Sequence, residues 1–253
     1  MVCNMYQFFV KEEQIQWNRI VISGQDVIHI KQVLRMKIGD ELAVVNGDNS
    51  QDTKEYRCEI QEMQEDEIIC TLRFVKEDGV ELSSKIYLFQ GLPKSDKMEL
   101  IIQKAVELGV HEIIPLSLSR CVVKLEPKKE AAKLLRWQQI SEAAAKQSKR
   151  RIIPIIKEVM TLKESIRYCE NFQIKVIPYE LAEGMDKTKE IIGSLKAGQN
   201  IAIFIGPEGG FSETEIKLAM DAGIIPITLG KRILRTETAG FTILSWMMYQ
   251  LEQ

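Results

Sequence analysis

Two short runs near the end of the chain constrain its fold most. The first, residues 201–212, is an apolar strand that ends in the glycine-rich sequence Gly206-Pro207-Glu208-Gly209-Gly210 and then enters a helix. The second, residues 229–239, is a strand end, a polar loop and the start of an apolar helix. Ligands of open α/β sheets bind just beyond the carboxyl ends of the strands. The two runs therefore predict a small-molecule pocket built largely from backbone.

Residues 1–75 differ from the rest of the chain in the pattern of their apolar residues. Short runs rich in β-branched and aromatic residues, several of them alternating, predict a small β-barrel with one helix, which Ser23 and Asp26 begin as a capping box. The polar stretch 76–84 is typical of a linker. The expected strands are residues 6–10, 19–22, 41–45, 55–63 and 67–74.

From residue 85 to residue 253, strands alternate with helices. This alternation predicts an α/β domain with a mostly parallel sheet and helices on its faces. The expected strands are 85–90, 112–116, 152–159, 173–178, 200–205 and 224–229. The expected helices are 97–108, 127–147, 162–169 (begun by Thr161 with Glu164), 187–195, one begun by Ser212 with Glu215, and one from about Thr238.

The glycine-rich turn matches neither of the common phosphate-binding motifs. It lacks the Gly-Lys-Ser/Thr ending of a P-loop and the Gly-x-Gly-x-x-Gly of a dinucleotide site. Its glycines allow a ligand to approach the backbone closely or allow a positive φ. Taken alone, the turn is better interpreted as a tight connection between a strand and a helix than as a binding site.

Arg235-Thr236-Glu237-Thr238 directly precedes the last apolar helix. Thr236 or Thr238 is a natural N-cap for that helix. A cap needs only one hydroxyl, however, and Arg235 can bind a carboxylate or a phosphate bidentately. The segment therefore favours a functional role, in which Lys231 and Arg232 add positive charge.

Basic residues are concentrated in one segment of a chain whose formal net charge is −2. Between Arg120 and Arg151 there are ten basic residues and three acidic ones, and the end of the segment carries Gln147, Lys149, Arg150 and Arg151. Such a patch either binds phosphate or is a solvated helix face. A second basic strip, His29, Arg35 and Lys37, belongs to the N-terminal helix and its exit.

Cysteine and histidine usage argues against metal and redox chemistry. The five cysteines are scattered, with no Cys-x-x-Cys pair, and the only histidines are His29 and His111. A zinc site is therefore not expected. The sequence starts without the basic and apolar pattern of a signal peptide, and no apolar run approaches membrane-spanning length. We expect a cytoplasmic protein with reduced cysteines and no membrane partner.

In combination, these motifs resemble those of the RsmE-type methyltransferases of the SPOUT class. The resemblance extends over essentially the whole chain, in the expected order. It is carried by Gly206-Pro207-Glu208-Gly209-Gly210-Phe211-Ser212, Leu229-Gly230-x-Arg232-Ile233-Leu234-Arg235-Thr236-Glu237-Thr238-Ala239, Leu92-Pro93-Lys94-x-Asp96-Lys97-Met98-Glu99, Gln103-Lys104-x-x-Glu107-Leu108-Gly109, Arg136-Trp137, Gln147-Ser148-x-Arg150 and His29-x-x-x-Val33-Leu34-Arg35.

The resemblance implies an N-terminal PUA-like RNA-binding barrel and a C-terminal domain with a trefoil knot. It implies a homodimer formed through the C-terminal domain that methylates N3 of one uridine in the decoding region of 16S ribosomal RNA, in the small ribosomal subunit. The cofactor is S-adenosyl-L-methionine (SAM), and the residues expected to bind it are Tyr179, Glu180, Ile205, Gly206, Pro207, Gly209, Gly210, Leu229, Gly230, Ile233, Leu234, Thr238 and Ala239.

For the reaction itself, we expect Arg235 to position the target uridine and either Glu208 or Glu237 to accept its proton. The expected RNA contacts are His29, Arg35, Lys94, Arg120, Gln147, Lys149, Arg150 and Arg151. The chain departs from the family at Gln7, where an arginine is usual, which puts one RNA contact in doubt. Two other classes of protein compete with this interpretation: a non-enzymatic RNA-binding assembly factor, and a nucleotide-binding enzyme such as a dehydrogenase, which the missing fingerprint glycines disfavour.

Overall fold

The structure is a computed structural model that describes residues 5–47, 54–77, 79–180 and 184–252. The chain divides into two compact units. The first comprises the residues up to Glu81 together with Ala145–Ile153, and the second comprises Leu82–Ala144 and Pro154–Gln253. The segment Ala145–Ile153 thus belongs to the N-terminal unit, although its sequence neighbours on both sides belong to the other. Asp78 of the expected linker, and Cys3, lie outside the described residues.

The first unit is built on one curled sheet of six strands in the order β1-β4-β5-β6-β3-β2. Strands β1 and β4 are parallel, and the other neighbours are antiparallel. The apolar side chains that alternate along these strands form its core, with Ile20, Leu42 and Ile60 fully buried. The strands are β1 (Gln7–Val10), β2 (Ile15–Gln16), β3 (Arg19–Ser23), β4 (Glu41–Asn46), β5 (Glu55–Met63) and β6 (Glu67–Lys76).

The helix that was predicted after β3 begins differently from the expectation. A short α-helix, α1 (Gln25–Ile28), continues as π-helix over His29–Val33, and its N-cap is Gly24, with φ +75°. Ser23 is instead the last residue of β3, and its hydroxyl accepts a hydrogen bond from Gln14 Nε2 at 3.0 Å. The predicted capping box of Ser23 and Asp26 is therefore wrong. A 3₁₀ turn over Glu12–Gln14 precedes β2.

The second unit contains a parallel sheet of seven strands, as the alternation predicted. Six follow the order β10-β8-β7-β12-β11-β13, and β9 pairs with β8. The expected strand at 152–159 is reduced to Ile155–Ile156, because the residues before Pro154 belong to the other unit. The strands are β7 (Lys85–Gly91), β8 (Glu112–Ser117), β9 (Ile155–Ile156), β10 (Met160–Thr161), β11 (Ile174–Pro178), β12 (Asn200–Ile205) and β13 (Ile225–Ile227).

Helices pack on this sheet in two groups, α2 with α7 and α5, and α4 with α6. The capping boxes predicted at Thr161–Glu164 and Ser212–Glu215 are both confirmed. Among the described helices, none combines the length and apolar character needed to cross a membrane. The helices are α2 (Lys97–Glu107), α3 (Pro127–Gln147), α4 (Leu162–Tyr168), α5 (Met185–Gly193), α6 (Glu213–Asp221) and α7 (Thr236–Leu251).

The two central strands, β7 and β12, fix the middle of the sheet. Phe89 and Phe204 are fully buried neighbours, and their rings stack with centroids 4.5 Å apart. Because β11, β12 and β13 are parallel, their carboxyl ends emerge at one edge of the sheet. The glycine-rich turn and the polar loop that were singled out in the sequence follow β12 and β13, so both lie at that edge.

Candidate active site

A cleft of about 530 Å³ opens at the carboxyl ends of β11, β12 and β13. This volume lies within the usual range of small-molecule sites, ~300–1,000 Å³. All of the predicted cofactor residues line it except Thr238, and among the predicted catalytic residues Glu208 and Arg235 line it whereas Glu237 does not. The lining residues that were not predicted as cofactor or catalytic residues are Lys97, Arg120, Pro178, Phe211, Thr228, Lys231, Arg232 and Thr236.

The turn after β12 requires glycine for steric reasons. A Cβ on Gly206 would lie 3.0 Å from the Cα and the carbonyl carbon of Gly210. A Cβ on Gly91, at the end of β7, would lie 2.6 Å from Cδ of Pro207. The Gly210 N–H closes the turn by donating to the Pro207 carbonyl at 2.9 Å. The turn is thus folded back on itself and packed against the neighbouring strand, so a side chain at position 206 would displace the Gly210 backbone.

Thr236 joins three elements at the base of the cleft. Its hydroxyl donates to the Gly206 carbonyl at 2.6 Å and accepts from Gln90 Nε2 at 2.9 Å. Thr236 is the first residue of α7, and the N-cap is Arg235, which makes no side-chain capping bond. The expectation that Thr236 or Thr238 caps α7 is therefore wrong, because the Thr236 hydroxyl is engaged with β7 and the β12 turn.

Sequence reasoning did not identify Gln90 as part of this site. Gln90 is fully buried, and its Oε1 has no hydrogen-bond partner among the residues that the structure describes. The available signal was a polar residue near the carboxyl end of an otherwise apolar strand, since such residues are uncommon in a sheet buried on both faces.

Positive charge lies along the outer rim of the cleft. Lys231, Arg232 and Arg235 are exposed, and Ile233 between them is 88% exposed. The guanidinium group of Arg235 makes no hydrogen bond or ion pair with any residue described in the structure. It is therefore available to an anionic or carbonyl-bearing ligand at the mouth of the cleft.

Lys97, at the start of α2, faces both predicted acidic residues. Its Nζ lies 2.9 Å from Glu208 Oε1 and 3.5 Å from Glu237 Oε2. Burial alone would raise the pKa of Glu208, but hydrogen bonds from Lys97 and from the Lys94 main-chain N–H hold that pKa below its ordinary value. From the sequence, Lys97 belongs to one of the stretches that resemble the family, but the sequence predicts no role for it.

Lys94 and Arg120, which were predicted to bind RNA, both reach the glycine-rich turn. The Lys94 main-chain N–H donates to Glu208, and Arg120 Nη1 donates to the Gly209 carbonyl at 2.9 Å. The contact made by Arg120 ties the loop after β8 to the turn after β12. Lys94 and Arg120 are both exposed, and Arg120 also lines the cleft.

Arg150 and Arg151 are internal residues. Their exposed fractions are 3% and 1%. Arg150 Nη2 lies 2.5 Å from Glu81 Oε2, and Arg151 Nη2 lies 3.5 Å from Glu55 Oε2. The prediction that these two guanidinium groups contact RNA is therefore wrong: the basic run at this point pairs with acidic residues of its own unit.

Gln7 is buried beside them. It is 5% exposed, and its Nε2 donates to the Arg150 carbonyl at 2.6 Å. Position 7 therefore faces the Ala145–Ile153 segment and not solvent. The departure from the family at this position concerns internal packing, so it removes no RNA contact from the exposed surface.

The remaining RNA-binding predictions fall on the surface of the first unit. His29, Arg35, Gln147 and Lys149 are all exposed, and an ion pair of 2.9 Å between Lys146 and Asp26 fastens their two segments together. Lys149 Nζ donates to the Met5 carbonyl, and its partial burial lowers its pKa. These four residues thus come from distant parts of the sequence and belong to one unit.

The described cysteines, Cys58, Cys70, Cys121 and Cys169, are buried free thiols. Burial raises the pKa of Cys58 and of Cys70 to about 12, which keeps both protonated and unreactive. No group of three or more potential metal-ligating side chains is found within the described ranges.

Comparisons with known proteins agree with both units. The family model described as "RNA methyltransferase domain" matches residues 80–248, and the model described as "RNA methyltransferase PUA domain" matches residues 22–73. The ribosomal RNA small subunit methyltransferase E of Bacillus subtilis is 38% identical over 234 residues, which is 91% of this chain and 90% of that protein. The protein of the same name from Mesomycoplasma hyopneumoniae is 36% identical over 242 residues, 95% of this chain and 98% of the other.

A solved structure of a protein with the same name is also similar to this chain. The ribosomal RNA small subunit methyltransferase E of Neisseria gonorrhoeae, bound to S-adenosyl methionine, superposes with a TM-score of 0.82 at 27% identity and covers 97% of each chain. The predicted α/β class with a preceding PUA-like unit is thereby confirmed. On its sequence and its fold, the chain belongs to the family of RNA methyltransferases that includes ribosomal RNA small subunit methyltransferase E.

Proposed function

We propose that this protein transfers the methyl group of SAM to N3 of one uridine in the decoding region of 16S ribosomal RNA. The observation that carries the proposal is the cleft at the carboxyl ends of β11–β13, which gathers the predicted cofactor residues from three loops. Family membership supports the same reaction class, because relatives that cover nearly the whole chain are ribosomal RNA methyltransferases.

The chemistry of the cleft suits SAM. Its lining combines apolar side chains such as Ile205 and Leu234 with the main-chain groups of the turn at Gly206–Gly210 and the loop at Leu229–Leu234. Main-chain N–H and carbonyl groups can bind an adenine and a methionine moiety, and the glycines allow them to approach closely. When bound, SAM supplies an electrophilic methyl group on a sulfonium.

The protein's own residues then have two tasks. Arg235, exposed at the mouth and without a partner among the residues that the structure describes, positions the target uridine, so that N3 lies in line with the methyl group. N3 carries a proton at neutral pH, so a carboxylate of the Glu208–Glu237 pair accepts that proton as the new N–C bond forms. The uridine must leave its stack to enter the cleft.

RNA binding is assigned to the surface outside the cleft. We assign residues 1–75 to RNA binding and residues 85–253 to methyl transfer, with 76–84 as the linker, except that Ala145–Ile153 belongs to the first unit and shares its role. His29, Arg35, Gln147 and Lys149 supply contacts on the first unit, and Lys94 and Arg120 supply contacts next to the cleft. Basic side chains contribute by neutralising phosphates, whereas Gln147 offers an amide to a phosphate or a base.

The proposal includes three properties of the whole protein. It is a homodimer through the C-terminal domain, where Phe241, Trp246 and Met248 on α7 remain partly accessible. Its C-terminal domain is knotted. It acts in the cytoplasm without a metal, so activity should survive a chelator such as EDTA.

The experiment that tests the function is mass mapping of modified uridines. Ribosomal RNA from cells with the gene is compared with RNA from cells without it. The proposal expects one N3-methylated uridine in the decoding region that disappears on deletion and returns with the plasmid-borne gene. An unchanged modification pattern would refute it.

A non-enzymatic RNA-binding factor remains the competing function, and calorimetry distinguishes the two. The proposal expects saturable, one-to-one binding of SAM per chain. A factor that kept only the fold would give no heat of binding.

A further inference from the structure

One lysine lies between the two candidate proton acceptors. Lys97, Glu208 and Glu237 come from three elements: the start of α2, the turn after β12 and the first turn of α7. Their side chains are 30%, 28% and 15% exposed, so the ion pairs are partly shielded from water. Partly shielded pairs interact more strongly than pairs in bulk solvent.

The two carboxylates differ in how they are held. Glu208 accepts hydrogen bonds from Lys97 Nζ at 2.9 Å and from the Lys94 N–H at 3.1 Å. Glu237 Oε2 is buried and has no hydrogen bond within the part of the chain that the structure describes, although Lys97 Nζ lies 3.5 Å away. Lys97 therefore donates a hydrogen bond to Glu208 and lies close enough to Glu237 to attract its negative charge.

Several of the described charged residues lie near Glu208 and Glu237, but Lys97 is the one that is close to both carboxylates. Arg120 and Arg235 line the same cleft, Asp96 is the N-cap of α2, and Glu215 is engaged by Ser119 and Ser212. Lys97 is the one described cation within 4.0 Å of both Glu208 and Glu237.

We propose that Lys97 is a positioning residue of the methyl-transfer site, which holds Glu208 and Glu237 together and sets the pH at which this pair accepts the uridine proton. The inference rests on the proposed function. It extends that function by identifying the group that acts on the acceptor carboxylates without touching the transferred methyl group. An opposite charge 3–4 Å away favours the ionised carboxylate, and removing that charge raises the affinity of Glu208 for protons.

The test is the pH dependence of methyl transfer by Lys97→Met. The assay follows methyl groups from labelled SAM into small-subunit ribosomal RNA from cells that lack the gene. We expect kcat to fall at least tenfold while KM for SAM changes less than threefold. Because Lys97 donates a hydrogen bond to Glu208 and helps to hold the pKa of that carboxyl low, the acid limb of kcat should move to higher pH in Lys97→Met.

Two further variants make the result specific. Lys97→Arg keeps the charge and should keep the acid limb where it is in the wild type. Lys104→Met removes a lysine of the same helix that also forms an ion pair, at 2.8 Å from Glu107 and outside the cleft, and should match the wild type in rate and pH profile. Thermal unfolding of each variant establishes that it is folded.

The outcomes separate the inference from the function on which it rests. If wild-type protein transfers no methyl group, the proposed function itself fails. If the wild type is active but Lys97→Met retains its acid limb, or loses rate only in proportion to lost folded protein, Lys97 has no positioning role and the inference is overturned.

Discussion

At the scale of single residues, the charge of a side chain says little until its partner is known. Arg150 and Arg235 carry the same group, yet Arg150 is 3% exposed and paired with Glu81, whereas Arg235 is exposed at the mouth of the cleft. Sequence reasoning treated both as functional, because the partner of Arg150 lies 69 residues away. The free arginine is the one that can act on a substrate.

Replacing Arg235 with alanine should abolish methylation and leave cofactor binding nearly normal. The loss of one oriented donor at a reacting group typically costs ~10²–10³ in kcat. Methyl-transfer kinetics and calorimetry with SAM check the two halves of this prediction. Arg235→Lys is the control: it keeps the charge but not the planar fork, so it should recover only part of the rate. Wild-type activity in Arg235→Ala would exclude the role.

Replacing Arg150 with methionine should lower stability and not RNA affinity. The change removes charge-assisted hydrogen bonds to Glu81, which typically contribute about 1.5–3 kcal/mol each to the free energy of unfolding before relaxation. Urea unfolding measures the loss, which we expect to reach about 2–3 kcal/mol. Arg73→Met, at the half-exposed pair with Glu59, should cost much less stability than Arg150→Met. Equal stability of both variants would contradict the assignment.

At the scale of helices and strands, capping motifs between residues close in sequence were predicted correctly. A helix start that depends on residues distant in sequence was not. The boxes Thr161–Glu164 and Ser212–Glu215 follow from residues three apart, and both are formed. Thr236 has the same chemistry, but its hydroxyl bonds to Gln90, 146 positions earlier, and to Gly206. No local pattern contains those contacts, so the start of α7 was misplaced by two residues.

Replacing Gly206 with alanine should damage the cofactor site. The new methyl group would lie 3.0 Å from the Gly210 backbone, so that backbone must shift and the geometry of the turn must change. We expect the affinity for SAM, measured by calorimetry, to fall at least tenfold, which corresponds to ~1.4 kcal/mol. Gly193→Ala, at a helix position with open space around the added Cβ, should bind SAM like the wild type. Unchanged affinity in Gly206→Ala would show that the turn does not hold the cofactor.

At the scale of the whole molecule, the sequence predicted a β-rich part followed by an α/β part, and the structure contains both. What the sequence did not reveal is that Ala145–Ile153, which comprises the end of α3 and the residues that follow it, belongs to the first unit. Its basic run predicted RNA contacts, yet two of its arginines pair with acidic residues of that unit. Fewer basic residues are therefore exposed and available to bind RNA than the composition suggests.

RNA binding should depend on salt through these exposed residues. Lys149→Gln removes one phosphate contact, so the slope of log K against log salt concentration should become shallower by about 0.7–0.9. Filter binding of small-subunit ribosomal RNA over a range of salt concentrations measures the slope. Lys163→Gln, on the exposed side of α4, is the control and should leave the slope unchanged. An unaltered slope in Lys149→Gln would remove this residue from the interface.

The central claim is that the cleft between the Gly206–Gly210 turn and the Leu229–Leu234 loop holds the methyl donor. A crystal structure of the protein grown with SAM tests it most directly. The account predicts density for SAM in that cleft, with its methyl group facing the mouth where Arg235 lies. Density at any other place, or an open cleft at saturating SAM, would contradict it.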